Sequence, residues 1–308
     1  MLNGRTNMED HKLKVFCTVA ETKSFSKTSQ IIHLTQPAVS LQIQALEELY
    51  ETKLFDRSSS SINLTASGEV LYSYAKNILA QYSELEKEIG KITGLIKGSI
   101  TIGASTTIGN YLLPSVVFNF KKTHPKIRIN ILIGNTNRVL DLLNSGVVEF
   151  GLVEGETTRS KIRVESLLTD ELVFILPAMH PMAKKKSISI LEIMKEPFII
   201  REEGSGTRQV IEKYLGLHGI KISDMHIVLV LGGTESIKEA VERGMGISIL
   251  SRWATRKEVQ FGTLKFITAK EDRILRDFSL VMPKNAVFSH AVDEFLSYLK
   301  VYSFEMLL

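Results

Sequence analysis

The amino-acid sequence predicts an α-helical N-terminal region that is joined by one long helix to a larger α/β region. Short helical segments fill residues 10–65, and one uninterrupted helical pattern covers residues 66–93. From Gly98 onward, apolar strands alternate with helices, which is typical of a mostly parallel α/β sheet. With 308 residues, the chain is long enough for two or three domains with filled cores.

Composition limits the class of protein. The hydrophobic content of 44% and the charged content of 23% are ordinary for a soluble globular protein. There is no apolar run of about 18 residues, as a membrane helix would need, and the polar N-terminus lacks an apolar signal core, so we expect a cytoplasmic protein with no membrane contact. The single cysteine, Cys17, excludes an internal disulfide or a cysteine-cluster zinc site, and we interpret it as a packing residue.

The net charge of +4 is unevenly distributed. Residues 1–95 hold ten Lys/Arg and eleven Asp/Glu, whereas the remainder holds 28 and 23. The N-terminal region is therefore not basic, and a case for nucleic-acid binding depends on local geometry rather than on bulk charge.

The N-terminal helices carry clear boundary signals. Leu13, Phe16 and Val19 recur at helical spacing, and Ser24 is a good N-cap for a second helix over Phe25–Ile32. Thr35 caps a third helix, which has Pro37 in its first turn, where the missing N–H costs nothing. Its predicted core face consists of Val39, Ile43 and Leu46.

The outer face of this third helix is neutral and able to form hydrogen bonds. A short helix, a tight connection and a capped second helix predict a helix-turn-helix, and the extended runs around Ser58–Ser61 predict a wing. Gln can pair with adenine, and Leu can contact a thymine methyl. An ordinary helical hairpin packed on another domain is the alternative. The candidate DNA-contacting residues are Ser24, Thr35, Gln36, Pro37, Ser40, Leu41, Gln44, Arg57, Ser58 and Ser59.

The long helix carries a heptad stripe, with Thr65 as its N-cap. Apolar residues that step by four and three predict a coiled-coil seam, and therefore a dimer that presents two recognition helices to successive major grooves. Packing within the same chain is the alternative. Glycines at Gly90–Gly98 indicate a hinge. The predicted seam residues are Leu71, Ala75, Ile78, Tyr82, Leu85, Ile89 and Ile92.

The α/β region is predicted to form two Rossmann-like subdomains, each with its own sheet. Subdomain I comprises residues 97–168 and 272–308, and subdomain II comprises residues 169–271. The helical winged domain covers residues 8–66, and the linker helix with its hinge covers residues 67–96. The predicted strands are Ser99–Gly103, Ile127–Ile133, Phe150–Val153, Leu172–Leu176, Phe198–Ile200, Ile227–Leu231, Ile247–Leu250, Leu264–Ile267 and Phe278–Met282.

Four predicted strand ends run directly into helix starts that carry hydroxyl groups. Ligands of open α/β sheets bind outside the carboxyl ends of strands, and free N–H groups at helix starts favour anions. Two turns come from each subdomain, so a polar cleft for a small anion or carboxylate is expected. Simple helix capping is the alternative for each residue. The candidate ligand-binding residues are Ser105, Thr106, Thr107, Thr136, Ser205, Thr207 and Thr234.

Sequence signatures of catalysis are missing. The chain has neither a G-x-S-x-G elbow nor an H-E-x-x-H motif, and its histidines are scattered singly. We therefore expect no enzyme activity, no metal and no cofactor.

The sequence resembles the LysR-type transcriptional regulators. The resemblance rests on "FCTVAETKSFSKTSQIIHLTQPAVSLQIQALEELYETKLFDRSSSSINLTASGEVLYSYAKNIL", "GSITIGASTTIGNYLLPSVVFNFKKTHP", "GVVEFGLVEG", "LVFILPAMHP" and "ERGMGISILS", and it covers almost the whole chain. It implies a winged helix-turn-helix, a linker helix and an effector domain like a periplasmic binding protein. It further implies a homotetramer that binds promoter DNA, contacts RNA polymerase and senses a small effector in the cleft.

Two departures from the family pattern concern DNA binding. The family often has arginine at positions 41 and 44, where this chain has Leu41 and Gln44, and the usually basic wing is serine-rich here. Fewer phosphate contacts should give a shallow dependence of binding on salt. The effector turns, which are rich in Ser and Thr and poor in obvious arginines, are similar to those of the branch that responds to sulfur compounds, nitrogen status or small oxyanions. A transport solute-binding protein and an α/β enzyme acting on a small carboxylate are the competing classes.

Overall fold

The N-terminal region of the protein forms three helices, a two-stranded wing and a long helix. The computed structural model describes residues 6–32, 34–56, 62–93, 96–157, 160–284, 286 and 288–304. Within these residues, none of the helices combines the length and apolarity needed to cross a membrane. The elements are α1 (Thr6–Thr22), α2 (Phe25–Ile31), α3 (Gln36–Leu49), β1 (Phe55–Asp56), β2 (Asn63–Leu64) and α4 (Ala66–Thr93).

The predicted caps and core face of this region are confirmed. The Ser24 hydroxyl accepts a hydrogen bond from the backbone N–H of Lys27 (3.2 Å), and Thr35 caps α3 in the same way. The core packs apolar side chains of α1 and α3 against the wing, and the Phe16 and Phe55 ring centroids lie 5.2 Å apart. Its α3 members are the predicted Val39, Ile43 and Leu46.

Side-chain hydrogen bonds and one close approach between backbone atoms fix the wing and the long helix to this core. The buried Glu47 carboxylate accepts hydrogen bonds from the backbone N–H of Leu54 (3.0 Å) and from Lys53 (2.9 Å), which holds the start of the wing. Thr65 caps α4, as predicted, by accepting from the N–H of Gly68 (3.0 Å). A side chain on Gly68 would place its Cβ 2.1 Å from the Leu54 carbonyl oxygen, so only glycine allows α4 to lie this close to the wing.

The C-terminal region alternates strands and helices. A π-helical turn (Ile108–Leu112) leads into the helix after the first strand. The elements are β3 (Gly98–Ser105), α5 (Leu113–Thr123), β4 (Ile127–Gly134), α6 (Thr136–Asn144), β5 (Phe150–Glu154), β6 (Ile162–Pro177), β7 (Ser187–Ile188), α7 (Ile190–Ile193), β8 (Phe198–Arg201), α8 (Gly206–Leu217), β9 (Ile227–Leu231), α9 (Thr234–Glu242), β10 (Ser248–Ser251), α10 (Arg256–Phe261), β11 (Leu264–Ala269), β12 (Ile274–Pro283) and α11 (His290–Val301).

The prediction of two separate sheets is wrong in one respect, because two long strands pass through both subdomains. The main sheet has the order β4-β3-β5-β12-β6-β11-β7, β10 also pairs with β6, and β8 pairs with β9. Both long strands, β6 and β12, are antiparallel to each other over their whole shared length. The sheet is therefore mixed: β3 is parallel to its neighbours, whereas β10, β11 and β12 are antiparallel to β6.

Each subdomain nevertheless has its own hydrophobic core. Phe120, Phe150 and Phe295 lie in the core of subdomain I, where helices α5 and α11 cover the sheet. Phe174 and Phe198 lie in the core of subdomain II. The subdomain boundaries at 168/169 and 271/272 remain predictions. Strand β6 crosses the first boundary without interruption, and Ile274, beyond the second, packs its side chain in the core of subdomain II.

Candidate ligand cleft and DNA-facing helix

Helix α3 has an outer face of uncharged side chains next to its buried face. Leu41 is 65% exposed and Gln44 is also exposed, while Ser40 is half-buried. The first turn leaves Gln36 and Pro37 exposed. This face can therefore reach a base edge through uncharged side chains.

Gln44 already has a partner in the free chain, which the sequence reading missed. Its Nε2 donates a hydrogen bond to the Glu48 carboxylate (2.8 Å), one helical turn further on. The bond uses one of the two Nε2 hydrogens, so the second hydrogen and the Oε1 of Gln44 are not engaged by Glu48. The Ser24 hydroxyl is engaged as a helix cap. The predicted contacts Arg57, Ser58 and Ser59 lie outside the described residues.

The predicted dimer seam divides into two parts along α4. Ala75 is fully buried in the winged core of its own chain, and Leu71 packs against the same core, so the seam prediction is wrong for Ala75. The other predicted positions are exposed in the single chain, and for them the seam remains a prediction. These positions are Ile78, Tyr82, Leu85, Ile89 and Ile92.

The turns at the four strand ends meet between the subdomains. The Arg201 guanidinium, at the end of β8, is 1% exposed. Its Nη1 donates to the Thr106 hydroxyl of subdomain I (3.1 Å) and to the Thr234 hydroxyl of subdomain II (3.3 Å). Its Nε and Nη2 donate to the two carboxylate oxygens of Glu202, at 2.8 and 3.0 Å. One buried cation thus joins both sides of the predicted cleft.

A second buried arginine joins the remaining turns. Arg276 lies on β12 directly opposite Asp170 on β6, and its Nε donates to the Asp170 carboxylate (2.8 Å). Its Nη2 lies 2.9 Å from the Glu154 carboxylate at the end of β5. The same guanidinium donates to the hydroxyls of Thr207 (2.8 Å) and Thr107 (3.5 Å). The long strands therefore carry an ion cluster that contacts both subdomains.

The end of β5 and the start of α8 are in direct contact. Thr136 donates to the Glu154 carbonyl oxygen (2.9 Å), and Thr207 donates to the Glu154 carboxylate (3.2 Å). A Cβ on Gly206 would lie 1.9 Å from that carbonyl oxygen, so glycine is required for this approach.

The hydroxyls of the four turns do not act mainly as helix caps. Only Ser205 among them caps its helix, by accepting from the N–H of Arg208 (3.5 Å), and the caps of α6 and α9 are Asn135 and Gly233. The Ser105 hydroxyl is fully buried and has no hydrogen-bond partner among the residues that the structure describes. A buried hydroxyl without a partner is costly.

The mouth of the cleft carries a further contact between the subdomains. The Tyr111 hydroxyl of subdomain I donates to the Glu235 carboxylate of α9. Lys238, also on α9, lies 5.1 Å from the centre of the Tyr111 ring and pairs with Glu258 (2.6 Å). Burial, followed by the bond to Glu235, raises the pKa of Tyr111. The subdomains are therefore closed on each other here.

The turns themselves are poor in arginine, but two strands place arginines between them, which the sequence analysis missed. Arg201 and Arg276 fill the space between the turns, and Glu154, Asp170 and Glu202 balance them. A signal was present for Arg201, which directly follows the apolar residues of "FII", whereas Arg276 lies in "ILRDFSLVM" beside the polar Asp277 and Ser279. A cavity of about 890 Å³ lies beside Arg276, between β12 and α8. No group of His, Cys, Asp and Glu suited to a metal ion occurs among the described residues.

Both parts of the chain match known protein families. Residues 11–69 match the bacterial regulatory helix-turn-helix protein, lysR family, and residues 93–302 match the LysR substrate binding domain. The HTH-type transcriptional regulator CysL of Bacillus subtilis is 35% identical over 247 residues, which are 80% of this chain and 82% of CysL. The HTH-type transcriptional activator CmpR of Synechocystis is 31% identical over 94% of each chain.

Solved structures agree with this match. Full-length OxyR from Pseudomonas aeruginosa, at 20% identity, has the same fold, with a TM-score of 0.66 over 96% of this chain and 95% of OxyR. The regulatory domain of Synechocystis CcmR, in complex with 2-PG, is 27% identical, with a TM-score of 0.62 over 66% of this chain and 96% of that domain. The chain belongs to the LysR family of DNA-binding transcriptional regulators with an effector-binding domain.

Proposed function

We propose that the cleft between the four turns binds a small anionic effector, and that its binding changes how this regulator contacts its promoter. The observation that carries the proposal is the buried Arg201 guanidinium, which bridges Thr106 of subdomain I and Thr234 of subdomain II. In the same turn as Thr106, the buried Ser105 hydroxyl has no hydrogen-bond partner among the described residues, which supports the proposal. Cations and hydroxyls that converge from two subdomains suit a ligand held at their interface.

Closure of the subdomains is the proposed conformational change. The effector would stabilise one relative position of the subdomains, because Arg201 and the contact between Tyr111 and Glu235 both cross the cleft. An effector shifts the population only if it binds one arrangement more tightly than the other. The movement would reach the linker helix through subdomain I, where the Ser83 hydroxyl of α4 donates to the Phe288 carbonyl oxygen (3.4 Å).

Two of the proposed partners, DNA and a second copy of the chain, follow from the N-terminal region. Helix α3 enters the major groove, and the exposed stripe from Ile78 to Ile92 pairs with a second copy. A tetramer, contact with RNA polymerase and a cytoplasmic location are proposed on the family resemblance. The effector is proposed to come from sulfur, nitrogen or oxyanion metabolism, and the 2-PG ligand of the similar CcmR domain is consistent with an anion.

Thermal unfolding of the full chain with a panel of anions tests the proposal. The panel holds sulfate, thiosulfate, sulfite, nitrate, phosphate, O-acetylserine and 2-PG. An effector at a hundred times its Kd should add roughly 2.7 kcal/mol of stability. Thr106→Val and Thr234→Val, which remove the hydroxyls that face Arg201, should abolish the gain. Thr268→Val is the control, because this hydroxyl bonds the Lys186 carbonyl oxygen outside the cleft. An equal gain in all variants would sink the cleft assignment.

Replacing Gln44 by alanine should weaken binding to an adenine-containing site by about 1–3 kcal/mol and relax the preference at that position. Sites would first be selected from random duplexes with the wild-type protein, and affinities then measured by fluorescence anisotropy. Glu48→Ala is the control, because it removes the partner of Gln44 but leaves the amide in place. The assignment is refuted if Gln44→Ala selects the same sequence as the wild type.

A further inference from the structure

Glu202 occupies the Nε–Nη2 edge of the Arg201 guanidinium. Its two carboxylate oxygens accept from Arg201 Nε and Nη2, at 2.8 and 3.0 Å, which is the two-pronged geometry by which arginine holds carboxylates and phosphates. The Asn135 amide, from subdomain I, donates to the same carboxylate (3.2 Å). The chain therefore places its own carboxylate between the subdomains, on the cation at the centre of the cleft.

The carboxylates that contact the two buried arginines already outnumber them. Two buried arginines face three carboxylates, so another negative group would be repelled unless one carboxylate leaves. Glu154 and Asp170 are almost fully buried and are held by Arg276. The Glu202 carboxylate is 25% exposed and is therefore the one that can move into solvent.

The backbone of this loop is held in place, so the movement concerns the Glu202 side chain: the Glu202 N–H donates to the Leu231 carbonyl oxygen (3.2 Å) and the Asn137 N–H donates to the Gly204 carbonyl oxygen (3.1 Å). Burial opposes ionisation of Glu202, but the hydrogen bonds and charge of Arg201 outweigh it and hold the pKa of Glu202 below its usual value. The carboxylate is thus charged at neutral pH and competes as an anion.

We propose that Glu202 is an internal competitor of the effector, which it mimics on Arg201 while the cleft is empty. The effector then carries a carboxylate, a phosphate or another group with two oxygens on one edge, and it binds by displacing Glu202 from Arg201. The inference rests on the proposed anion site in the cleft. In molecules in which Glu202 holds Arg201, the effector cannot bind the arginine. The apparent affinity for the effector is therefore lower than its affinity for a site that Glu202 has left.

Glu202→Gln in the full chain tests the proposal, because it keeps the size of the side chain and removes its charge. The probes are inorganic phosphate, sulfate and acetate, with chloride at equal ionic strength as the reference, and the apparent Kd is read from the rise of the unfolding midpoint with concentration. Glu202→Gln should lower the Kd for at least one probe by about tenfold or more. Glu202→Ala should do the same, which guards against an effect of the amide itself.

Glu203→Gln is the matched control, because Glu203 is the next residue, its side chain is 90% exposed and its carboxylate lies 3.7 Å from Arg208 outside the cleft. Its Kd values should stay at those of the wild type. The competitor proposal is overturned if the wild type binds a probe through Thr106 and Thr234 while both Glu202 variants bind it equally or more weakly. If no variant binds any probe, or if the Thr106→Val and Thr234→Val variants retain full binding, the proposed anion site fails as well.

Discussion

Replacing Arg276 by methionine lowers the free energy of unfolding by about 3–5 kcal/mol, because the carboxylates of Glu154 and Asp170 remain buried without their cation. The hydroxyls of Thr107 and Thr207 lose a donor in the same step. The loss falls on the two strands that connect the subdomains, so we expect both subdomains to unfold at a lower denaturant concentration. Urea unfolding, followed by circular dichroism, measures the change.

Arg273→Met, one residue before β12, is the matched control. Arg273 is 65% exposed and pairs with Glu171 (2.8 Å), so its loss should leave the free energy of unfolding close to that of the wild type. The difference in the free energy of unfolding between the wild type and Arg276→Met should also shrink as the pH falls from 8 to 5. Burial already raises the pKa of Asp170 against the opposing effect of Arg276, and without the arginine this carboxyl group becomes neutral more readily. Equal losses in the two variants would contradict the role of the buried cluster.

Replacing Gly206 by alanine destabilises the protein by about 1–3 kcal/mol and weakens anion binding. The new Cβ would lie 1.9 Å from the Glu154 carbonyl oxygen and 2.7 Å from the Thr136 hydroxyl, so the start of α8 must move away from β5. This movement would separate Thr207 from Arg276 and loosen the cleft. The midpoint of thermal unfolding and the apparent Kd for the anion measure the two effects.

Gly216→Ala, in the same helix, is the control for this prediction. No atom lies within 4 Å of a Cβ built there, so alanine should stabilise the protein by about 0.4–1 kcal/mol. The close approach of α8 to β5 would be unimportant if both alanine variants had the same stability and the same anion affinity.

The winged domain was predictable because its signals are local. Ser24, Thr35 and Thr65 each cap a helix that begins at the next residue, and the N-cap rule needs only the sequence around them. The heptad stripe on α4 was equally clear, but its period could not show that Ala75 packs in the core of its own chain. Periodicity identifies a face of a helix and leaves its partner open.

The sheet connection and the arginines depend on contacts between distant residues. The polar residues Thr169, Asp170 and Glu171 interrupt the apolar pattern of β6, so the sequence predicted a strand only from Leu172. Asp170 is buried there because Arg276 lies opposite it, more than a hundred residues later in the chain. Charged residues are almost never buried unless they are paired, so neither residue could be placed inside from its own neighbours.

An anion bound in the cleft should change DNA binding. The most direct test measures the Kd for a selected DNA site with and without the anion that stabilises the protein. In the wild type, a saturating anion should change the Kd for DNA by about fivefold or more, as expected for coupled sites. The double variant Thr106→Val/Thr234→Val should bind DNA with the same Kd in both conditions. A wild-type protein that is stabilised by the anion but binds DNA equally well with and without it would contradict the account.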